Sequence, residues 1–173
     1  MLICRNMDPD PVKKEFLKAM RGITSTVTVV SAKDGENKQA MTATSVVSLS
    51  LDPPTMLVCI NHEATIHDVM KEGLGFCINI LSIGQEGLAD ICSVAGKEEQ
   101  RFLEGDWSEF NDIPYNKDSQ SSMFCNCIKA IEHTTHTIYL GEIIKVLNQS
   151  SFNPLLYKAV SYTHLTLPTI YSV

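Results

Sequence analysis

The sequence predicts a mainly β protein, a β-barrel with peripheral helices. Three observations lead there. Segments rich in Val, Ile and Thr follow one another through turn signals, as in hairpins. Only short helical stretches lie between them. The glycine fingerprints of doubly wound folds are missing: Gly73-Leu74-Gly75 lacks the third glycine of G-x-G-x-x-G, and no P-loop or G-x-S-x-G elbow occurs. The 173 residues correspond to one domain.

A helix is expected over 9–21. Val12, Phe16 and Met20 recur every fourth residue as one apolar stripe, Asp10 and Pro11 supply N-cap and first-turn signals, and Gly22 a stop. A strand over 23–32 alternates Thr and Val, and the polar 33–38 segment turns the chain. A second strand runs over 40–51, stopped at Asp52-Pro53-Pro54. The 55–61 strand is nearly all apolar, which predicts burial on both faces. A short helix (65–72), a strand (75–81) and another helix (84–94) come next. The 97–105 stretch is helical or looped, 106–122 is a polar loop, and 123–132 with 136–147 form a closing hairpin.

The 14 basic and 20 acidic residues give a net charge of −6, which argues against nucleic acid as partner. No apolar run reaches the ~18 residues of a membrane span. The first residues do not form a secretory signal, so the six cysteines read as reduced thiols of a cytoplasmic protein. Met7 is a second candidate start. The domain is expected to span 1–158. The 159–173 stretch has no charged residue and no helical period, and back-translated it resembles a sequencing-library transposase adapter. It is read as a non-native tail from adapter read-through, and Tyr162 and His164 receive no functional weight.

Metal-binding patterns are weak. His62-Glu63-Ala64-Thr65-Ile66-His67 is one residue longer than H-E-x-x-H, and histidines five apart do not share a helix face. Cys125 and Cys127 with His133 and His136 offer four donors for a zinc-stabilised β-domain, but the spacing matches no zinc motif, and buried thiols are the simpler reading. No metal is expected. The informative cluster is Met41–Ser50, with Thr42, Thr44, Ser45, Ser48 and Ser50 giving five hydroxyls in ten residues. Small side chains admit a flat ligand to the backbone, and hydroxyls supply neutral donors to a polar ligand or phosphate. An ordinary edge strand is the competing reading.

Ala40-Met-Thr-Ala-Thr-Ser-Val-Val-Ser-Leu-Ser-Leu-Asp-Pro-Pro54 resembles the signature of the flavin reductase family of FMN-binding split-barrel proteins. Further blocks follow in the family's order: Phe16-x-x-Ala-Met-Arg21 with 25–30, Leu57-Val-Cys-Ile-Asn61 with Ala64-Thr-x-His-Asp68, Phe76-x-Ile-Asn79-x-Leu81-Ser82-x-x-Gln85, Arg101-Phe102, Thr135-His136-x-x-x-x-Gly-Glu142, and Pro154-Leu-Leu-Tyr157. The resemblance covers 16–157. One departure is Thr134-Thr135-His136, where the family usually has Gly-Asp-His.

The resemblance implies a split β-barrel, a homodimer, and hydride transfer from NADH or NADPH to FMN or FAD, with reduced flavin supplied to a partner monooxygenase. It places Thr42, Ala43, Thr44 and Ser45 along the flavin ring and ribityl chain, and Ser48 and Ser50 at the polar tail. Thr65 and His67 fall near the phosphate, Asn61 among the cofactor-binding residues, Asn79, Ser82 and Gln85 in the same pocket, and Arg101 and Phe102 at its charged and apolar walls. His136 falls where nicotinamide docks, as the catalytic-site residue. The alternative activity is a tight flavin-binding electron carrier without free-flavin turnover. Hydride transfer needs no side-chain nucleophile, in keeping with the lack of a prominent acid–base pair.

Overall fold

The computed structural model describes residues 10–158 and 161–164. The chain forms α1 (Pro11–Met20), then β1 (Ser25–Thr26), β2 (Thr28–Asp34), β3 (Asn37–Ala43), β4 (Val46–Leu51) and β5 (Pro54–Asn61). A 3-10 turn, Thr65–Asp68, leads to β6 (Gly75–Ile80) and α2 (Glu86–Ser93). After a second 3-10 turn (Glu98–Gln100) come β7 (Trp107–Phe110), β8 (Ile113–Asn116), β9 (Ser121–His133), β10 (His136–Asn148), β11 (Leu156–Lys158) and β12 (Ser161–Thr163).

Seven strands make one antiparallel sheet in the order β3-β2-β6-β9-β10-β5-β4. Its two margins, β3 and β4, are neighbours in the chain, joined only by Thr44 and Ser45. Three Cα–Cα steps span at most ~11 Å, so the two margins converge at this point. The sheet is thus curled, and among the described residues no hydrogen-bonded ladder closes it, in keeping with a split barrel. The expected 40–51 strand is therefore two strands, because the chain must change margins at Thr44–Ser45.

Inside the curl, Val30, Val58, Ile60, Phe76, Ile78 and Tyr139 pack with Ile66, Val69 and Met70, which cap the interior from the 3-10 turn. On the other side of β2 and β3, Val27, Val29 and Ala40 pack against Leu88, Ala89 and Cys92 of α2. β2 is buried on both faces for this reason. β5 is not: fully buried Val58 and Ile60 alternate with half-buried Leu57 and Cys59, so the expectation of two covered faces is corrected. Gly141 lies where β10 crosses the core; a Cβ there would run into the Phe76 ring and come within 2.8 Å of the Cys125 Cβ.

The α1 cap is as read: the Val12 amide donates to Asp10 Oδ1 at 3.0 Å. The expected 106–122 loop instead contains the β7–β8 hairpin, turned at Asn111 (φ 50°) and Asp112 (φ 62°). Both sit in the left-handed region, which Asn and Asp tolerate and a two-residue hairpin turn needs. Helix 65–72 shrinks to the 3-10 turn at Thr65–Asp68.

Candidate functional site

The exit of β3 and the outward face of α2 form a cleft of about 600 Å³, lined by Val27, Thr42, Thr44, Asp90, Ser93, Tyr157, Ser161 and Tyr162. This size lies in the usual range for small-molecule sites. Thr44 and Tyr157 also border a second hollow of about 340 Å³ under α1. On the other side Ser93 leads into a cavity of about 120 Å³, with Thr65, Cys92, Glu98 and Arg101 in its wall. Thr42 and Thr44 thus line the cleft, Thr65 and Arg101 the cavity, and Ser93 borders both.

Arg101 is 4 % exposed. Its Nη1 donates to the Ala40 carbonyl (2.9 Å) and Thr65 Oγ1 (3.1 Å). Its Nη2 donates to the Val94 carbonyl (2.9 Å) and Glu98 Oε1 (3.1 Å). Its Nε is buried and has no partner among the described residues. A buried guanidinium with an unused donor beside a cavity suits an anionic oxygen. Hydrogen bonds from the Glu98 and Gly96 amides, then the Arg101 charge, hold the Glu98 carboxyl below its ordinary pKa, so it stays charged beside Arg101 at neutral pH.

The hydroxyls of the β3–β4 segment are mostly committed. Thr42 Oγ1 donates to the Ala89 carbonyl at 2.6 Å, so it meets a ligand only as an acceptor. Ser45 Oγ donates to the Cys59 carbonyl at 3.0 Å. Ser50 Oγ accepts from the Asp52 amide at 3.1 Å and closes the β4–β5 turn. Thr65 Oγ1 donates to Gln39 Oε1 at 3.0 Å while accepting from Arg101. Ala43 is buried beneath the segment. Thr44 and Ser48 are exposed, on β4's approach and on β4 itself.

Other expected site residues lie apart from the cleft. Asn79 is fully buried. Its Nδ2 donates to the Val29 carbonyl (2.9 Å) and Ser31 Oγ (3.0 Å), and its Oδ1 accepts from the Asn116 amide (3.0 Å). It is a core junction between β2, β6 and β8, apart from the cleft. Gln85 Oε1 accepts from the Ser82 amide and hydroxyl, and Gln85 Nε2 donates to Asn116 Oδ1 at 3.0 Å. That pair braces the entry to α2 and lines none of the three hollows along the β3 exit. Phe102 stacks on Trp107 with ring centroids 4.7 Å apart and faces a separate groove with Lys38.

Asn61 Oδ1 accepts from the Glu63 amide at 2.9 Å, starting the turn toward Thr65. Exposed His136 pairs directly with Asn61 across β10 and β5, and its Nδ1 meets Thr135 Oγ1 at 2.8 Å. His67 Nε2 lies 3.0 Å from Thr137 Oγ1. Cys125 and Cys127 are buried in the core while His133 and His136 are exposed, so the four-donor zinc arrangement does not assemble. Burial raises the Cys125 thiol pKa to about 12.

Asp90, Ser93 and Tyr157 line the cleft without having been singled out in the sequence. The α2 period carried the signal: burying Leu88, Ala89 and Cys92 turns Asp90 and Ser93 outward. Tyr162, set aside with the 159–173 stretch, packs on Tyr157 at 5.7 Å within the β11–β12 hairpin.

The flavin reductase like domain family matches residues 20–166. The chain is 31 % identical over 160 residues to the reductase component of an FADH(2)-dependent resorcinol hydroxylase from Rhizobium sp. (strain MTP-10005), covering 91 % of this chain and 89 % of that one. It is 29 % identical over 155 residues to FMN reductase (NADH) RutF of Pseudomonas syringae pv. syringae (strain B728a), covering 89 % and 87 %. The Streptomyces globisporus C-1027 NADH:FAD oxidoreductase SgcE6, solved in complex with NAD and FAD fragments, superposes with a TM-score of 0.83 at 25 % identity, covering 95 % of this chain and 99 % of that one.

Proposed function

This chain belongs to the flavin reductase like domain family, and from that premise we propose that it is an NAD(P)H:flavin oxidoreductase whose flavin lies in the cleft at the β3 exit. One observation carries the placement. Ser93 borders both the cleft beside Thr42 and Thr44 and the cavity walled by Arg101, whose buried Nε has no partner among the described residues. A ligand with a flat ring and an anionic tail matches that sequence of surfaces.

A flavin held there would supply the redox chemistry, hydride acceptance from reduced nicotinamide. The chain supplies position and charge. Thr42 presents an acceptor, Thr44 an exposed hydroxyl, and Tyr157 an aromatic wall. Arg101 supplies a fixed positive charge, held by two carbonyls, Thr65 and Glu98, so it need not reorganise when an anion binds. The dinucleotide is NADH or NADPH and the flavin FMN or FAD; the relatives' names give NADH, with FMN in one and FAD in the other. Reduced flavin passes to an oxygenase component, the arrangement named for the resorcinol hydroxylase relative.

The chain acts as a homodimer. α1 buries none of its residues in the single chain, and apolar Val47, Leu49 and Leu51 lie exposed on marginal strand β4. Among the described residues no helix is long and apolar enough to cross a membrane, and the described cysteines are free thiols, which supports a cytoplasmic setting.

The test is nicotinamide oxidation by the full chain with excess FMN or FAD, and with riboflavin in parallel. Turnover with all three, and an Arg101→Lys loss of at least tenfold in affinity for FMN but much less for riboflavin, is the expected result. Flavin that copurifies stoichiometrically without turnover indicates the electron-carrier alternative. Equal losses for FMN and riboflavin remove the phosphate from the Arg101 cavity.

A further inference from the structure

Four of the chain's five histidines gather at one corner, where the end of β5 and the following turn meet the β9–β10 tip. His62 and His67 follow β5, while His133 and His136 flank the tip and face each other across the ladder. The His62 amide donates to the Thr135 carbonyl at 3.0 Å, tying the two segments together.

Five residues apart, His62 and His67 do not share a face of an α-helix. The chain between them is not one. Asn61 draws in the Glu63 amide with its side chain and the Ala64 amide with its carbonyl, and Thr65–Asp68 then winds as a 3-10 turn. This brings both rings to one point. His62 Nε2 and His67 Nε2 each lie 3.0 Å from Thr137 Oγ1, with ring centroids 4.9 Å apart. Thr137 is 2 % exposed, whereas His62 is open to solvent and His67 half-buried. One hydroxyl carries one hydrogen, so it donates to one ring and accepts from the other. Two imidazole nitrogens therefore converge on one buried hydroxyl, with His62 open to solvent.

We propose that His62 and His67 bind a late divalent transition-metal ion, Zn²⁺ or Cu²⁺, between their two Nε2 atoms and beside the Thr137 hydroxyl. Imidazole nitrogen is a preferred donor for both ions. Among the described residues no group of three or more His, Cys, Asp or Glu gathers to hold a metal. The coordination is therefore two imidazoles completed by water and the hydroxyl oxygen: an open, exchangeable site, unlike a closed structural one. Cu²⁺ binds more tightly than Zn²⁺, as nitrogen sites generally order them, and Mg²⁺, which prefers oxygen and keeps its water, does not bind. Acid weakens binding because protons compete for the same nitrogens. A bound ion pins the 3-10 turn carrying Thr65 to the start of β10, at one end of the proposed flavin surface. The donor set stands whatever the cleft binds.

The experiment is calorimetric titration of the metal-free full chain with ZnCl₂, CuCl₂ and MgCl₂. The expected result is one ion per chain for Zn²⁺ and Cu²⁺, and none for Mg²⁺. His62→Asn and His67→Asn keep a side chain able to hydrogen-bond Thr137, and each is expected to lower affinity at least tenfold. The His133→Asn/His136→Asn double variant is expected to leave this binding event intact. Unchanged affinity in both single variants, loss of binding in the double variant, or no binding of either transition metal overturns the proposal. If a single variant does not fold, pulsed electron paramagnetic resonance of the Cu²⁺-loaded unmodified chain decides. Two equivalent imidazole couplings support the site, and one or none overturns it.

Discussion

Asn79 shows how one side chain can hold three strands together. Its amide donates to β2 twice and accepts from Asn116, the last residue of β8, with Ser122 of β9 adding a longer bond at 3.3 Å. Removing it leaves the Asn116 amide buried without a partner and takes one donor from the Val29 carbonyl and one from Ser31 Oγ. Such an orphan costs about 1–3 kcal/mol. Asn79→Ala is therefore expected to lower unfolding stability by about 3 kcal/mol in urea titration, with no change in the KM for flavin in whatever folded protein remains. A raised KM at unchanged stability would return Asn79 to the binding site. From sequence, a polar residue at a strand end looks available to a ligand, since nothing local reports that its partners arrive from β2 and β8. Arg101 misleads in the opposite sense. Charged residues are seldom fully buried, and its burial depends on two carbonyls, of Ala40 and Val94, that no local pattern reveals. The hydroxyl density at Thr42 and Thr44 was legible because it departs from what a strand needs.

At the scale of elements, the β9–β10 connection carries a local strain. Thr134 has φ 48°, in the left-handed region where a β-branched residue is disfavoured. The related family usually has Gly at this place, and the turn geometry accounts for that choice. Thr134→Gly is expected to stabilise the chain by about 1 kcal/mol, read as a higher urea midpoint with unchanged slope; a lower midpoint would show that the Thr134 side chain makes compensating contacts. Element reading succeeded where signals are local, as at the Asp10 cap of α1. It failed at 40–51, where strand propensity continues while the sheet margin changes. It also failed at 107–116, where the Asn111-Asp112 turn lies among polar residues that resemble a loop.

For the whole molecule, the outer face of the sheet is the feature the single chain leaves unexplained. Val47 pairs with Leu57 and Leu57 with Leu140, while Cys59 pairs with Ile138 and Ile138 with Ile131. These residues form two apolar rows running outward to Val47 (59 % exposed) and Ile131 (45 % exposed). Leu51, at the end of β4, is 91 % exposed. The proposed homodimer would set a second copy of the chain over these rows. Sedimentation velocity is expected to show a dimer for the unmodified chain and a shift toward monomer for Val47→Asp/Leu51→Asp. A monomer at all concentrations before substitution would reject the assignment.

The two-residue crossing at Thr44–Ser45 also sets an order of events. β2–β3 and β4–β5 are hairpins of near neighbours in sequence, tethered to each other, and they end as the two flanks of the sheet. β6, β9 and β10, which fill the space between them, are all made later in the chain. Local hairpins form in microseconds, whereas non-local pairings wait on the entropy of closing long loops. The flanks are thus expected to assemble first and the β9–β10 hairpin to enter last, like a panel fitted into a frame already standing. Pulse-labelled hydrogen exchange should find β2–β3 amides protected before those joining β6 to β9; simultaneous protection would mean that frame and panel form together.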